Sequence, residues 1–206
     1  MATLSKATKL NAVNTIISNI GQSPVTSLES GNPLVETAEQ ILDEVTRTVQ
    51  ADGWVFNSEQ HYTFTPNASK EIEIPTNVLQ LDTSRHASGS SGSTDRVVIR
   101  GGKLYNKTDH TYTFDDAIAL DVVWLFNFDD LPEAFKQYIT IRAANIFAGR
   151  SVGSSEAVKF GEREELLARA SAIEYDTSQG DYSIFDDYDG NQTYQSYLPI
   201  NTISRY

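Results

Sequence analysis

The residues that could carry chemistry in this chain are few. The histidines are His61, His86 and His110. No two of them stand four apart, and no HExxH or comparable ligand spacing occurs. They read as surface or strand-packing residues, with His86 bordering a loop. Four acidic pairs come next: Asp115-Asp116, Asp129-Asp130, Glu164-Glu165 and Asp186-Asp187. A glycosidase would need two carboxyl groups roughly 5–9 Å apart on either side of a scissile bond, and sequence neighbours rarely achieve this. Glu162, Arg163, Glu164, Glu165 and Arg169 read instead as a solvated helix face with charges paired four apart.

The other catalytic signatures are also missing. The chain has no cysteine, which excludes disulfides and thiolate metal sites. Gly101-Gly102 is not followed by a helix bearing Lys-Ser/Thr, so it reads as a hairpin turn and not a phosphate cradle. No GxSxG elbow occurs. The sequons at Asn67, Asn106 and Asn191 read as chance matches. The expectation is a non-enzymatic protein with no catalytic, cofactor or metal residues, Trp54 and Trp124 serving as core.

Composition agrees with an ordered chain. Its 206 residues, 39% hydrophobic and 10% aromatic, suffice for a substantial core. The start, MATLSKATKL, lacks an apolar signal region, and no apolar run approaches a membrane span. Synthesis in the cytoplasm and no membrane partner are expected. The net charge of −12, without clustered Lys or Arg, argues against gripping DNA. An acidic wall would, however, let DNA slide past.

The elements that position these residues fall into three runs. Leu10, Val13, Ile17 and Ile20 predict a helix over about Ser5–Ile20, with Gly21 ending it. Leu34, Ala38, Ile41, Leu42, Val45 and Val49 predict a second over about Pro33–Ala51, capped by Asn32 and ended by Gly53. The period then shortens. Trp54–Phe56, His61–Phe64, Glu71–Ile74, Val78–Asp82, Arg96–Arg100, Lys103–Asn106 and Leu120–Phe126 read as short strands, with a Gly/Ser-rich loop at Ala87–Asp95. Helical spacing returns after Pro132 with Phe135, Ile139, Ala143, Ile146 and Phe147, its start favoured by Asp129, Asp130 and Glu133. A fourth helix is predicted over about Ser154–Tyr175, with Val158, Leu166, Ala170 and Ile173 as its apolar face and Gly161 weakening its middle.

Helices, then strands, then helices give an α+β class: a four-helix bundle interrupted by an antiparallel β insertion, with an extended C-terminal arm. The divisions are 1–53 for the first half of the bundle, 54–128 for the insertion, 129–176 for the second half, and 177–206 for the arm. The arm holds five of the ten tyrosines but few aliphatic residues and no clear period. Aromatic residues without a core of their own suit docking on a neighbour. Tyr182, Phe185, Tyr188, Tyr194 and Tyr197 are the expected contacts with a neighbour.

Several segments together are similar to the tail tubular protein A family, the head-to-tail adaptors of T7-like short-tailed bacteriophages. They are LNAVNTIISNIGQSPVTSLE (Leu10–Glu29), Gly53-Trp54-Val55-Phe56-Asn57, VVIRGGKLYNKT (Val97–Thr108) and LPEAFKQYITIRAANIF (Leu131–Phe147). The similarity spans about Leu10 to Tyr175. It implies a homo-oligomeric ring in the virion tail, a dodecamer, between the portal protein and the tail nozzle (tail tubular protein B). It implies a conduit for DNA in genome ejection, with tail fibres attached near the lower joint. The competing readings are a tail-associated polysaccharide or peptidoglycan hydrolase and a connector from another phage type.

Overall fold

The computed structural model describes residues 5–83, 97–151 and 155–180, those from 155 to 160 by their backbone alone. Within these, four helices and two antiparallel sheets follow in the order helix, helix, strands, helix, helix.

Helix α1 runs Lys9–Ser18 and buries Ala12, Val13, Ile16 and Ile17. It starts later than the apolar spacing suggests because Thr8 caps it, its side chain accepting from Asn11 N. Gly21 follows in the left-handed region at φ +78°, which closes the turn. Helix α2, Pro33–Gln50, begins as expected: the Asn32 side chain accepts from Leu34 N and a proline stands in the first turn. It buries Val35, Ala38, Ile41, Leu42, Val45 and Val49.

Helix α3, Glu133–Ser151, places Phe135, Ile139, Ala143 and Phe147 in the same core as α1 and α2. Helix α4, Ser155–Gln179, lies along α3. It runs past the expected end at Tyr175. The apolar face expected for it is not the buried one. Ala168 and Ala172 are buried, whereas Leu166, Ala170 and Ile173 are exposed. The physical reason is close helix packing: small residues let two helix backbones approach, and larger aliphatic ones on this side would hold them apart.

The strands form a separate core. Strands β1 (Ser58–Phe64), β5 (Ile118–Trp124) and β2 (Val78–Thr83) make a three-stranded antiparallel sheet in the order β1-β5-β2. Strands β3 (Val97–Arg100) and β4 (Lys103–Asn106) form a hairpin across Gly101-Gly102. Both glycines have positive φ, +58° and +74°, as a tight two-residue turn of this hand requires. Leu120, Val122 and Trp124 of β5 point to one face and meet Phe64, Ile72, Ile74, Leu104 and Phe114. Two expected strands differ. Val55–Asn57 is a turn of 3-10 helix, because the Asn57 carboxamide accepts from Trp54 N at 2.8 Å and pulls the chain round. Glu71–Ile74 is extended but pairs only through isolated bridges, Glu71 with Thr113 and Glu73 with Lys103. The Ala87–Asp95 segment lies outside the described residues.

The two cores are joined through side chains that satisfy backbone groups. Gln50, fully buried at the end of α2, exchanges two hydrogen bonds with the backbone of Phe126. The Asn57 Nδ2 donates to Gln50 O at 2.9 Å and to Trp124 O at 2.8 Å. Trp54 and Phe56 pack on Phe135 with ring centroids 4.9 and 4.6 Å apart. Trp54 Nε1 donates to Val49 O, while Trp124 lies in the sheet core, so both tryptophans occupy core positions near the junction.

Candidate interaction surface

The features singled out for chemistry are dispersed. Asp115 is exposed and pairs with Lys70 at 2.6 Å. That hydrogen bond holds the Asp115 carboxyl below its ordinary value and the Lys70 ammonium above its own. Asp129 Oδ1 accepts from Lys9 N at 2.7 Å, so it anchors the start of α1. Glu165 turns toward α3, where its carboxylate accepts from Asn145 Nδ2 at 3.0 Å. It is therefore less solvated than the other members of its charged run. His61 and His110 both sit in the left-handed region at φ 57°, positions of turn and bulge geometry. Asn106 is buried, its carboxamide oxygen accepting from Thr108 N and Asp109 N, which removes it from the surface a glycan would need. Among the described residues no group of three His, Cys, Asp or Glu side chains is arranged to hold a metal ion. His86, Asp186, Asp187 and the expected contacts Tyr182, Phe185, Tyr188, Tyr194 and Tyr197 lie outside the described residues.

What the geometry does bring together is a pair of surfaces on the helices. The first is the outward side of α4. Leu166 is 68% exposed, Leu167 62% and Ile173 38%, with exposed Ala170 between them. At about 100° per residue these four share one side of the helix, opposite Ala168 and Ala172. Scattered exposed leucines are ordinary, and these four are set apart by adjoining one another on one helix side. Positional spacing found Leu166, Ala170 and Ile173 of these four but not Leu167, and the structure turns them outward.

The second surface is a groove of about 680 Å³ between the last turn of α1, α3 and the first half of α4. Ile20, Ile141, Ala144 and Ala148 supply its apolar lining, and Asn145 and Glu164 its polar members. Gly161 also lines it. A Cβ there would overlap the Asn145 carboxamide, so a larger residue would force that side chain to move. Sequence reasoning saw this glycine only as a weak point of the helix. Its spatial partner, sixteen positions earlier, carried no periodic signal.

A third feature is a clamp at the start of α1. Lys136 is buried, and its Nζ donates to Ala7 O at 2.8 Å and Asp129 O at 2.9 Å. The Glu133 carboxylate accepts from Ala7 N at 3.3 Å. On the other side, Lys9 Nζ pairs with Glu39 at 2.8 Å and Asp43 at 2.9 Å. Burial pulls the Lys9 ammonium down, but the hydrogen bonds to Glu39 and Asp43 and their charges outweigh it, leaving it raised. These groups work on backbone and on one another. They fix α1 to α2 and α3.

The described residues form a mixed helix-and-sheet chain whose polar side chains secure its own joints and whose helices present an apolar stripe and a groove. The tail tubular protein family matches residues 10–182, and the chain belongs to that family. It is also 26% identical over 158 residues, 76% of this chain and 81% of the relative, to tail tubular protein A of Klebsiella phage KP34. The protein is thus a structural component of a viral tail. Among the described residues no helix is long and apolar enough to cross a membrane.

Proposed function

We propose that this protein is the adaptor of a short-tailed phage. It forms a twelve-membered ring between the portal and the tail nozzle, conducts DNA during ejection, and contributes to the site where fibres attach. The observation that carries this reading is membership of the tail tubular protein family across residues 10–182. In this reading segments 1–53 and 129–176 are the two halves of a four-helix bundle, segment 54–128 is its insertion, and segment 177–206 is a docking arm. The packing of α1, α2 and α3 around one core, with α4 along α3, supports the helical part.

The charge supports the conduit. A net −12 per chain, repeated round a ring, repels the phosphate backbone and lets DNA pass without sticking. Fluorescence anisotropy with duplex DNA should show no measurable binding at physiological salt, and a salt-sensitive micromolar complex would remove the conduit role. The arm, with Tyr182, Phe185, Tyr188, Tyr194 and Tyr197 among Asp181, Asp186, Asp187 and Asp189, docks on a neighbouring subunit or the portal. Ordering such a segment costs about 1–2 kcal/mol per residue, which several buried aromatic anchors must offset.

Electron microscopy and native mass spectrometry of the full chain, alone and with portal, test the reading. Rings in either sample are expected, since an adaptor can stay monomeric until a portal templates it. A chain that remains monomeric and does not bind portal overturns it. Truncation after Asp176 should leave the melting temperature unchanged and abolish assembly. If it unfolds the subunit, the arm belongs to the subunit's own core.

A further inference from the structure

The three-stranded sheet is unfinished on the β1 side. In the order β1-β5-β2, strand β1 is paired on one side alone among the described residues. Its backbone hydrogen bonds there are those to β5 and one from His61 N to the Asp121 carboxylate. In an antiparallel pair alternate residues turn their N–H and C=O groups away from the partner, so part of β1 presents unpaired donors and acceptors. Every residue from Ser58 to Thr63 is exposed. The core face is incomplete at the same place. The Tyr62 ring rests on Phe64 and Trp124, with centroids 4.9 and 5.2 Å away, yet Tyr62 is 41% exposed.

The chain comes back to this edge at the end of α4. The Asp176 carboxylate accepts from Val55 N at 2.8 Å, and Val55 stands just before β1. Gly180 N donates to Asp176 O at 2.9 Å, so residues 181–206 leave within one helical turn of that contact. They contain an uncharged run of strand length, Gln192-Thr193-Tyr194-Gln195-Ser196-Tyr197-Leu198, set between Gly190-Asn191 and Pro199. It matches the 7 residues of β1 and is rich in the Thr and Tyr that strands favour. Residues 181–191, between Gly180 and the run, can span about 36 Å, more than the roughly 23 Å of a strand as long as β1.

We infer that Gln192–Leu198 adds to the outer edge of β1 in its own subunit, as a fourth strand of the sheet. Tyr194 and Leu198 fall on one side of such a strand, with Ser196 between them, and that side completes the core face over Tyr62. The edge is guarded against strands of other chains by the bulge between Glu59 and Tyr62, where His61 has φ 57°. A tethered run overcomes that guard through its high effective concentration, and an unattached one does not. The inference does not rest on a ring. It divides the arm: Tyr182, Phe185 and Tyr188, in the tether, remain for a neighbour, whereas Tyr194 and Tyr197 are held by the chain's own sheet. Ordering the run offsets most of what its hydrogen bonds contribute, so its loss leaves the melting temperature nearly unchanged, and the effect is local to β1.

Hydrogen exchange of the full chain, read by mass spectrometry, tests this. Gln195→Pro together with Ser196→Pro removes two adjacent amide donors, one of which must face β1. In the native chain the amides of Glu59–Thr63 that point away from β5 should exchange about tenfold more slowly than in this double variant. Ser183→Pro, in the tether, should leave them as slow as in the native chain. Equal exchange in the native chain and the double variant would overturn the inference. So would a loss of protection in Phe135–Phe147 of α3 in the double variant, since the run would then belong to the helical core. Protection of β1 that fades over an about hundredfold dilution would put another copy's arm on this edge and would also overturn it. Native rings with β1 unprotected would remove the added strand and leave the adaptor reading standing. A chain with β1 protected that neither assembles nor binds portal would do the reverse.

Discussion

Gln50 and Phe126 exchange a reciprocal pair of hydrogen bonds: Gln50 Nε2 donates to Phe126 O at 3.0 Å, and Phe126 N donates to Gln50 Oε1 at 2.8 Å. A side chain at the end of α2 thereby replaces the strand partner that the backbone loses where β5 ends. Asn57 extends the same network, bridging Gln50 O and Trp124 O. The helical core and the sheet core are therefore coupled through satisfied backbone groups. Buried polar atoms of this kind cost little while paired and about 1–3 kcal/mol each when orphaned.

Gln50→Leu should therefore lower stability by about 2–4 kcal/mol although it adds apolar area, because both Phe126 groups lose their partner. For a chain of this size that is a fall in melting temperature of roughly 5–15 °C. Asn57→Ala should cost a similar amount, and the double variant less than the sum, since the residues share one network. Strict additivity in thermal melts would show that the two act separately.

Gly161 reverses an ordinary expectation. Replacing a mid-helix glycine by alanine normally stabilises by about 1 kcal/mol. Here the added Cβ would lie 2.6 Å from Asn145 Cγ, and Asn145 could yield only by giving up its hydrogen bond to Glu165. Gly161→Ala should destabilise the native chain. In an Asn145→Ala background the same change should be neutral or stabilising. A stabilising effect in the native background, measured by chemical denaturation, would show that α3 and α4 are not so closely packed.

Lys136 and Ile139 stand one helical turn apart and show what the core accepts. Lys136 is buried with its Nζ donating hydrogen bonds to Ala7 O and Asp129 O. Ile139 is fully buried among apolar groups. Ile139→Asp, like Ile41→Asp in α2, would bury a charge with no partner, at a cost of several kcal/mol, and should leave the chain unfolded or insoluble. Lys136→Met should be milder, about 2–4 kcal/mol, with faster hydrogen exchange concentrated at the start of α1. A soluble Ile139→Asp chain with native circular dichroism would contradict the packing of α3.

The first three helices were legible because one side of each carries large aliphatic or aromatic residues at helical spacing. Helix α4 was legible in extent but not in orientation. Its conspicuous Leu166 and Ile173 face outward, and what touches α3 is Ala168 and Ala172, whose small apolar area gives almost no periodic signal. The hairpin followed from Gly101-Gly102, since only that turn needs positive φ at both central residues. In β1, His61–Phe64 read as a strand, but Ser58–Gln60 did not, because it is exposed and shows no alternation. The Val55–Asn57 turn depends on the Asn57 carboxamide, a contact that no hydrophobic pattern records. For the interaction surface, spacing found the stripe and took it for core. The groove, where α1 from the far end of the sequence meets the consecutive helices α3 and α4, left no trace along the chain.

The last expectation concerns alkaline pH. Lys9 pairs with Glu39 and Asp43, and although burial opposes its charge, those partners raise its pKa above the ordinary lysine value of 10.5. A group with a higher pKa in the folded chain than in the unfolded one stabilises the fold in its protonated form. That contribution is complete below the unfolded value and disappears as pH rises through the folded value. The pairs are partly exposed, with Lys9 at 25% and Asp43 at 40% of side-chain exposure, so screening keeps the contribution to about 1 kcal/mol or less. Lys9→Met should accordingly melt a few degrees below the native chain, by an amount that stays constant from about pH 7 to 9.5 and shrinks above about 10.5. Comparing the two chains at each pH cancels the tyrosines, which titrate in the same range. Added salt should shrink the gap at neutral pH as well. A difference that persists undiminished to pH 11.5 would mean that Lys9 acts through the packing of its methylenes and not through its charge.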